Sequence, residues 1–102
     1  MASTSEYLEY VLDLLAGVPE VSSRKMMGEY LLYASGKLFG GVYDDRFLVK
    51  DTEASRAVLS VEEVPYEGAP PMLLVDVEDA EAISAMVEAM LSELPELKRR
   101  RR

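Results

Sequence analysis

Leu8, Val11, Leu12 and Leu15 recur at the offsets of one helical face, and this spacing predicts a helix over residues 4–16. Ser3 stands three residues ahead of Glu6 as a capping box, while Gly17 and Pro19 supply a left-handed stop and a block to continuation. Beyond them the period changes. Residues 25–34, 37–43 and 46–50 are apolar and aromatic runs separated by Ser35-Gly36 and Asp44-Asp45, spacers of the length of tight hairpin turns. They predict a three-stranded antiparallel meander. With two-residue loops, Leu32 pairs with Phe39, Tyr33 with Leu38, Val42 with Phe47 and Gly41 with Leu48. That register gathers Leu31, Tyr33, Leu38, Val42, Phe47 and Val49 on one face and Tyr30, Leu32, Phe39, Tyr43, Arg46, Leu48 and Lys50 on the other. Both faces are apolar, whereas a sheet covered on one side alternates apolar with polar residues. The second face is therefore expected to be covered too, by a helix of the chain or by a second molecule.

Asp51 or Thr52 caps a short helix holding Ala54, Ala57 and Val58 and ending before Pro65. "VPYEG" and "PPMLLVDV" then read as two further strands or extended segments. In the last helix Ile83, Met86, Val87, Met90, Leu91 and Leu94 form one stripe behind the acidic start Glu78, Asp79 and Glu81, and Pro95 ends it. The order α-βββ-α-ββ-α places the chain in the α+β class, an antiparallel sheet of about five strands with helices packed on it. Gly36 suits the positive φ of a hairpin turn, and Gly40 and Gly41 suit a bulge or a close approach of backbones.

Composition narrows the chemistry. At 102 residues, 49% hydrophobic and 29% charged, the chain fits one folded domain, read here as residues 1–97 with a mobile basic tail at 98–102. It has no cysteine and no histidine, which removes disulfides, thiolate nucleophiles, imidazole bases and the common zinc sites together. The first helix carries Glu6, Glu9 and Asp13 among its apolar residues and has no basic leader, so neither a signal peptide nor a membrane span is expected and a cytoplasmic location is. Five of the 11 basic residues are Lys98, Arg99, Arg100, Arg101 and Arg102; the remaining six face 19 acids, a net −13 on residues 1–97. A body so acidic repels phosphate backbones, which leaves the tail as the candidate nucleic-acid contact.

Arg24, Met26-Met27-Gly28, Tyr30-Leu31-Leu32-Tyr33, Gly36-Lys37, Phe39-Gly40 and Tyr43-Asp44-Asp45-Arg46-Phe47-Leu48-Val49-Lys50 together resemble the TfoX N-terminal domain family. That family's pattern reads arginine, Met-Phe-Gly-Gly, a short strand, Gly-Lys-Met-Phe, a turn of aspartates and a strand closing on lysine. Here Met27 stands for the phenylalanine and Glu29 for the second glycine. The likeness extends more loosely through Tyr66, Pro71-Met72 and the last helix, over nearly all of residues 4–94. It implies a secretion-chaperone-like α+β architecture and a regulatory role similar to that of the TfoX (Sxy) proteins of bacterial competence, in which this domain precedes a second one not expected within these residues.

No nucleophile with an adjacent base stands in the sequence, so no catalytic residue and no cofactor is assigned and the expectation is a non-catalytic module. Asp44 and Asp45 suit a hairpin tip better than a cation site, and no metal is expected. Arg24 and Lys50 bracket the meander as candidate polar contacts. Tyr30, Leu32, Phe39 and Tyr43, on the second face, are the candidate contacts with a partner, either a second copy in a homodimer or another protein. Of Met26 and Met27, consecutive strand residues that point to opposite faces, one is expected to face a partner. No membrane contact is expected. A small-ligand sensor or enzyme is the remaining alternative.

Overall fold

The computed structural model describes residues 4–26 and 29–94. Its elements run α1 (Ser5–Leu14), β1 (Val21–Met26), β2 (Glu29–Ala34), β3 (Lys37–Val42), β4 (Phe47–Val49), α2 (Glu53–Arg56), β5 (Glu62–Glu63), β6 (Met72–Leu74) and α3 (Ala80–Leu91). The strands form one six-stranded antiparallel sheet in the order β1-β2-β3-β4-β6-β5. The class is α+β as expected, with one strand more.

The extra strand comes from residues 25–34, which form two strands rather than one: Met26 lies opposite Glu29, and β1 runs back along β2 as far as Val21. The polar run Val-Ser-Ser-Arg-Lys carries no alternating pattern because β1 is an edge strand, almost wholly exposed. Farther on, the expected strand over 64–68 is absent. Pairing is confined to Glu62 and Glu63 against Leu73 and Met72. Pro65 has no N–H to give a ladder, and Gly68 turns the chain at φ +89°.

Both predicted tight turns are present. Ser35 and Gly36 have φ of 52° and 79°, and Asp44 and Asp45 of 55° and 56°, the paired left-handed conformations of a type I′ hairpin. Between them the sheet departs from the simple register. Tyr33 faces Leu38 as predicted, but Leu32 faces Gly40 and not Phe39, so Phe39 is the extra residue of a bulge. One extra residue reverses the expected parity of every later position. Val42, Phe47 and Val49 accordingly share a face with Tyr30 and Leu32, and Leu48 pairs with Gly41 on the face of Leu31.

A Cβ on Gly40 would fall inside the contact radius of the Leu48 carbonyl oxygen and 2.9 Å from the Val49 Cα, so the bulge brings β3 and β4 closer than any side chain allows. The helices cover the Tyr30 side. Val11, Leu15 and Val18 from α1 and its exit, and Ile83, Met86, Val87 and Met90 from α3, close on Leu32, Phe39, Val42, Phe47, Val49 and Leu73 in one core.

Charged side chains from elsewhere in the chain tie down the helix ends. Thr4, not Ser3, caps α1, its Oγ1 accepting from the Tyr7 N–H at 3.1 Å, while the Asp45 carboxylate on the β3–β4 turn accepts the Thr4 N–H at 2.9 Å. Glu93 accepts the Glu53 and Ala54 N–H groups at 2.8 and 3.0 Å at the start of α2. The Lys37 ammonium donates to the Leu91 carbonyl at 2.7 Å at the end of α3. Each contact satisfies backbone groups that a helix cannot pair internally, with the sign its dipole favours. Gly17 is not the left-handed stop of α1: the cap is Leu15, and a Cβ on Gly17 would meet the Ser84 Oγ at 2.8 Å.

Candidate functional site

The bulge determines which sheet face is available. Tyr30, Leu32 and Phe39 are 9%, 0% and 0% exposed and lie in the core beneath the helices, so three of the four expected partner contacts are interior to the chain itself. The fourth, Tyr43, is also buried, but outside that core. It stands one residue past β3, and its ring lies over Gly41, 2.9 Å from where a Cβ would be. The expected contact surface of Tyr30, Leu32, Phe39 and Tyr43 is thus corrected. The apolar face with accessible residues is the opposite one.

That outer face has a regular layout. The pairing runs Arg24–Leu31–Gly41–Leu48–Leu74 across five strands, with Ser22–Tyr33–Leu38 as the neighbouring row. Leu31, Tyr33, Leu38 and Leu74 are half-buried and Met26 is 49% exposed, and none of them belongs to the helix-side core. Leu48, at the centre, is fully buried. The Tyr43 ring lies next to it over Gly41, and Tyr66 packs on Tyr43 with ring centroids 6.2 Å apart. Burial raises the Tyr43 phenol above its ordinary value of 10.0, and the neighbouring Tyr66, Glu29 and Tyr33 raise it further.

Arg46 holds this corner together. Its Nη1 donates to Glu63 Oε1 at 2.8 Å, its Nη2 to the Val64 and Pro65 carbonyls at 3.3 Å each, and its Nε to the Tyr43 carbonyl at 3.2 Å. One planar guanidinium so joins the β3–β4 turn to the segment bearing Tyr66. The tip aspartates serve the fold as well. Asp45 accepts the N–H of Thr4, the cap of α1, and the Asp44 N–H donates to Glu29 Oε1 at 3.0 Å. Among the described residues no group of acids, histidines or cysteines has a metal-holding arrangement.

Arg24 and Lys50 are not brought together. Arg24 is exposed on edge strand β1, opposite Leu31, and makes no ion pair with a described residue. Lys50 follows Val49, whose side chain is in the core, so strand alternation carries it to the outer side, half-buried. Lys98, Arg99, Arg100, Arg101 and Arg102 lie outside the described residues, as does Met27. Met26, on the row of Glu29, faces outward and is exposed. The sequence reading missed the Arg46 clamp and misassigned Leu31 and Leu38. The one signal for either was the pair of consecutive glycines, Gly40-Gly41, that marks the bulge.

No helix among the described residues is long and apolar enough to cross a membrane. The sequence is 32% identical over 105 aligned positions to a Spirochaeta aurantia protein described as "Uncharacterized 12.7 kDa protein in trpE 5'region", an alignment covering 99% of this chain and 91% of that protein. The TfoX N-terminal domain itself matches residues 13–86, which run from the end of α1 to the middle of α3 and hence take in the whole sheet. The chain belongs to the TfoX N-terminal domain family.

Proposed function

We propose that this protein is a non-catalytic regulatory module that works by holding another polypeptide on the outer face of its sheet. One observation carries the reading: Leu31, Tyr33, Leu38 and Leu74 are half-buried apolar residues on the side of the sheet away from the helices, outside the helix-side core. An antiparallel sheet that ends its own fold on that side presents polar residues there, and apolar residues left accessible on it mark a contact surface. The arrangement of polar groups supports the same reading. The Arg46, Asp45, Glu29 and Glu93 side chains are engaged with backbone groups or, for Arg46, also with Glu63, as befits a scaffold. The membership in the TfoX family suits a regulator whose output passes through a partner.

A photocrosslinking amino acid placed at Tyr33 or Leu38, in cells of the native host, tests the proposal. Position Tyr10, exposed on α1, is the control. Adducts of discrete mass from Tyr33 and Leu38 and none from Tyr10 are the expected result. Equal labelling from all three positions, or none from the sheet, overturns it.

A further inference from the structure

The two edges of the sheet differ. β5, at one edge, pairs only through Glu62 and Glu63 and is too short to template a further strand. β1, at the other, runs for six residues in unbroken register, contains no proline and has five of its six residues exposed. The direction of its backbone groups follows from the ladder. The Ser35 N–H donates to the Glu20 carbonyl at 3.1 Å, one step beyond the Val21–Ala34 pair. Alternation then turns the N–H and C=O groups of Ser22, Arg24 and Met26 toward β2, and those of Val21, Ser23 and Lys25 toward the open edge. No hydrogen bond from a described residue reaches these outward groups.

We infer that two copies of the chain pair antiparallel through β1 about a two-fold axis at Ser23, joining their sheets into one. Ser23 then faces Ser23 of the second copy and Val21 faces its Lys25, so that every outward N–H meets an outward C=O in about six new ladder bonds. Charge selects this register. The charged residues on β1, at its start and opposite it on β2 are Arg24, Lys25, Glu20 and Glu29, and Glu29 accepts the Asp44 N–H. With Ser23 on the axis, Arg24 faces Ser22, Lys25 faces Val21, and Glu20 lies diagonal to Arg24 of the second copy. An axis at Arg24 sets the two guanidinium groups against each other, and an axis at Ser22 sets Lys25 against Pro19, which has no N–H to give. A foreign extended peptide fits less well. Strands added at an edge are selected by pockets for their alternate side chains, and the exposed Ser22, Ser23, Arg24 and Lys25 form none on either face. The pairing lies in the plane of the sheet and is independent of the outer face. Its polar side chains bury little apolar area and each copy carries a formal −8, so it is weak, reversible and strengthened as salt screens the two bodies.

The chain has no cysteine, so single thiols introduced into the full chain read the geometry. Ser23→Cys places two thiols across the axis with Cα atoms about 5.5 Å apart, within disulfide range. Lys25→Cys places them four residues apart along the strands, about 13 Å. Under mild oxidation Ser23→Cys is expected to form the disulfide dimer about tenfold faster than Lys25→Cys, and a mixture of Val21→Cys and Lys25→Cys chains to crosslink unlike copies. In the unaltered chain, sedimentation equilibrium up to about 1 mM is expected to show a monomer–dimer equilibrium favoured by salt. By NMR the Val21, Ser23 and Lys25 amides are expected to gain exchange protection with concentration, while those of Ser22 and Arg24, already bonded to β2, do not change. Ser23→Pro removes one outward N–H without touching the β2 ladder and is expected to abolish the dimer at an unchanged urea midpoint of the monomer. Ser23→Cys, nearly isosteric, keeps the test independent of how well the proline variant folds. A chain that stays monomeric to about 1 mM, equal disulfide rates at Ser23 and Lys25, or a dimer that survives Ser23→Pro overturns the inference.

Discussion

Replacing Gly40 by alanine probes the feature on which the assignment of faces depends. The added methyl group would overlap the Leu48 carbonyl oxygen and stand 2.9 Å from the Val49 Cα and 3.2 Å from the Leu48 carbonyl carbon. All three are backbone atoms of the neighbouring strand, so no rotamer change relieves the contact, and β3 must move from β4. Overpacking a well-filled core costs about 1–3 kcal/mol, and a clash with backbone belongs at the upper end, about 3 kcal/mol. In urea, at a slope of about 1.5 kcal/mol/M, this lowers the midpoint by about 2 M. The melting temperature falls by roughly 12–24 °C for a domain of this size. Two other glycines calibrate the measurement. Gly36→Ala meets nothing within 4 Å but keeps φ +79°, a strain of about 1 kcal/mol. Gly17→Ala meets only the Ser84 side chain, which can turn away, and stays within about 0.5 kcal/mol of the parent. Gly40→Ala within about 0.5 kcal/mol of the parent refutes the close approach, and with it the bulged register.

Lys37→Met removes the ammonium that accompanies the Leu91 carbonyl at the end of α3 and is expected to cost about 1 kcal/mol in urea unfolding, with a smaller effect in high salt; an unchanged midpoint refutes the capping role. Tyr43 has a folded-state pKa above its unfolded value near 10, so the folded chain holds that proton more tightly and the associated stability is intact below pH 10 and lost as pH rises beyond it. Tyr43→Phe is thus expected to flatten the fall in urea midpoint above about pH 10, and an unaltered alkaline slope argues against the burial of that phenol.

Much of this architecture is legible in the chain because its elements obey strong local rules. The α3 stripe from Ile83 to Met90 and the Ser35-Gly36 and Asp44-Asp45 turns arise from helical period and left-handed turn chemistry. β1 escaped because an exposed edge strand of Ser-Ser-Arg-Lys buries nothing and so leaves no pattern. Parity failed at Phe39. A bulge conserves composition and turn signals while shifting every later side chain by one position; Gly40-Gly41 hinted at it in the sequence, but its place in the register shows only in the pairing. The Arg46 clamp joins residues 17 to 19 positions apart mainly through carbonyl oxygens, acceptors that every residue carries, so side-chain identities could not announce it. The same holds for Asp45 and Glu93, whose partners are amides 39 to 41 positions distant.

The single unmatched position in β3 also sets how the gene tolerates length changes. Loss of one codon there keeps the register: without Phe39, Gly40 still reaches Leu32 and Val42 still reaches Tyr30, and what is lost is the core ring and the carbonyl that accepts the Lys50 N–H. Gain of one codon has no such outlet, because the strand must then either accommodate a second unmatched residue or turn Val42 toward solvent. Among homologous sequences, this strand should therefore show single-residue deletions more often than single-residue insertions.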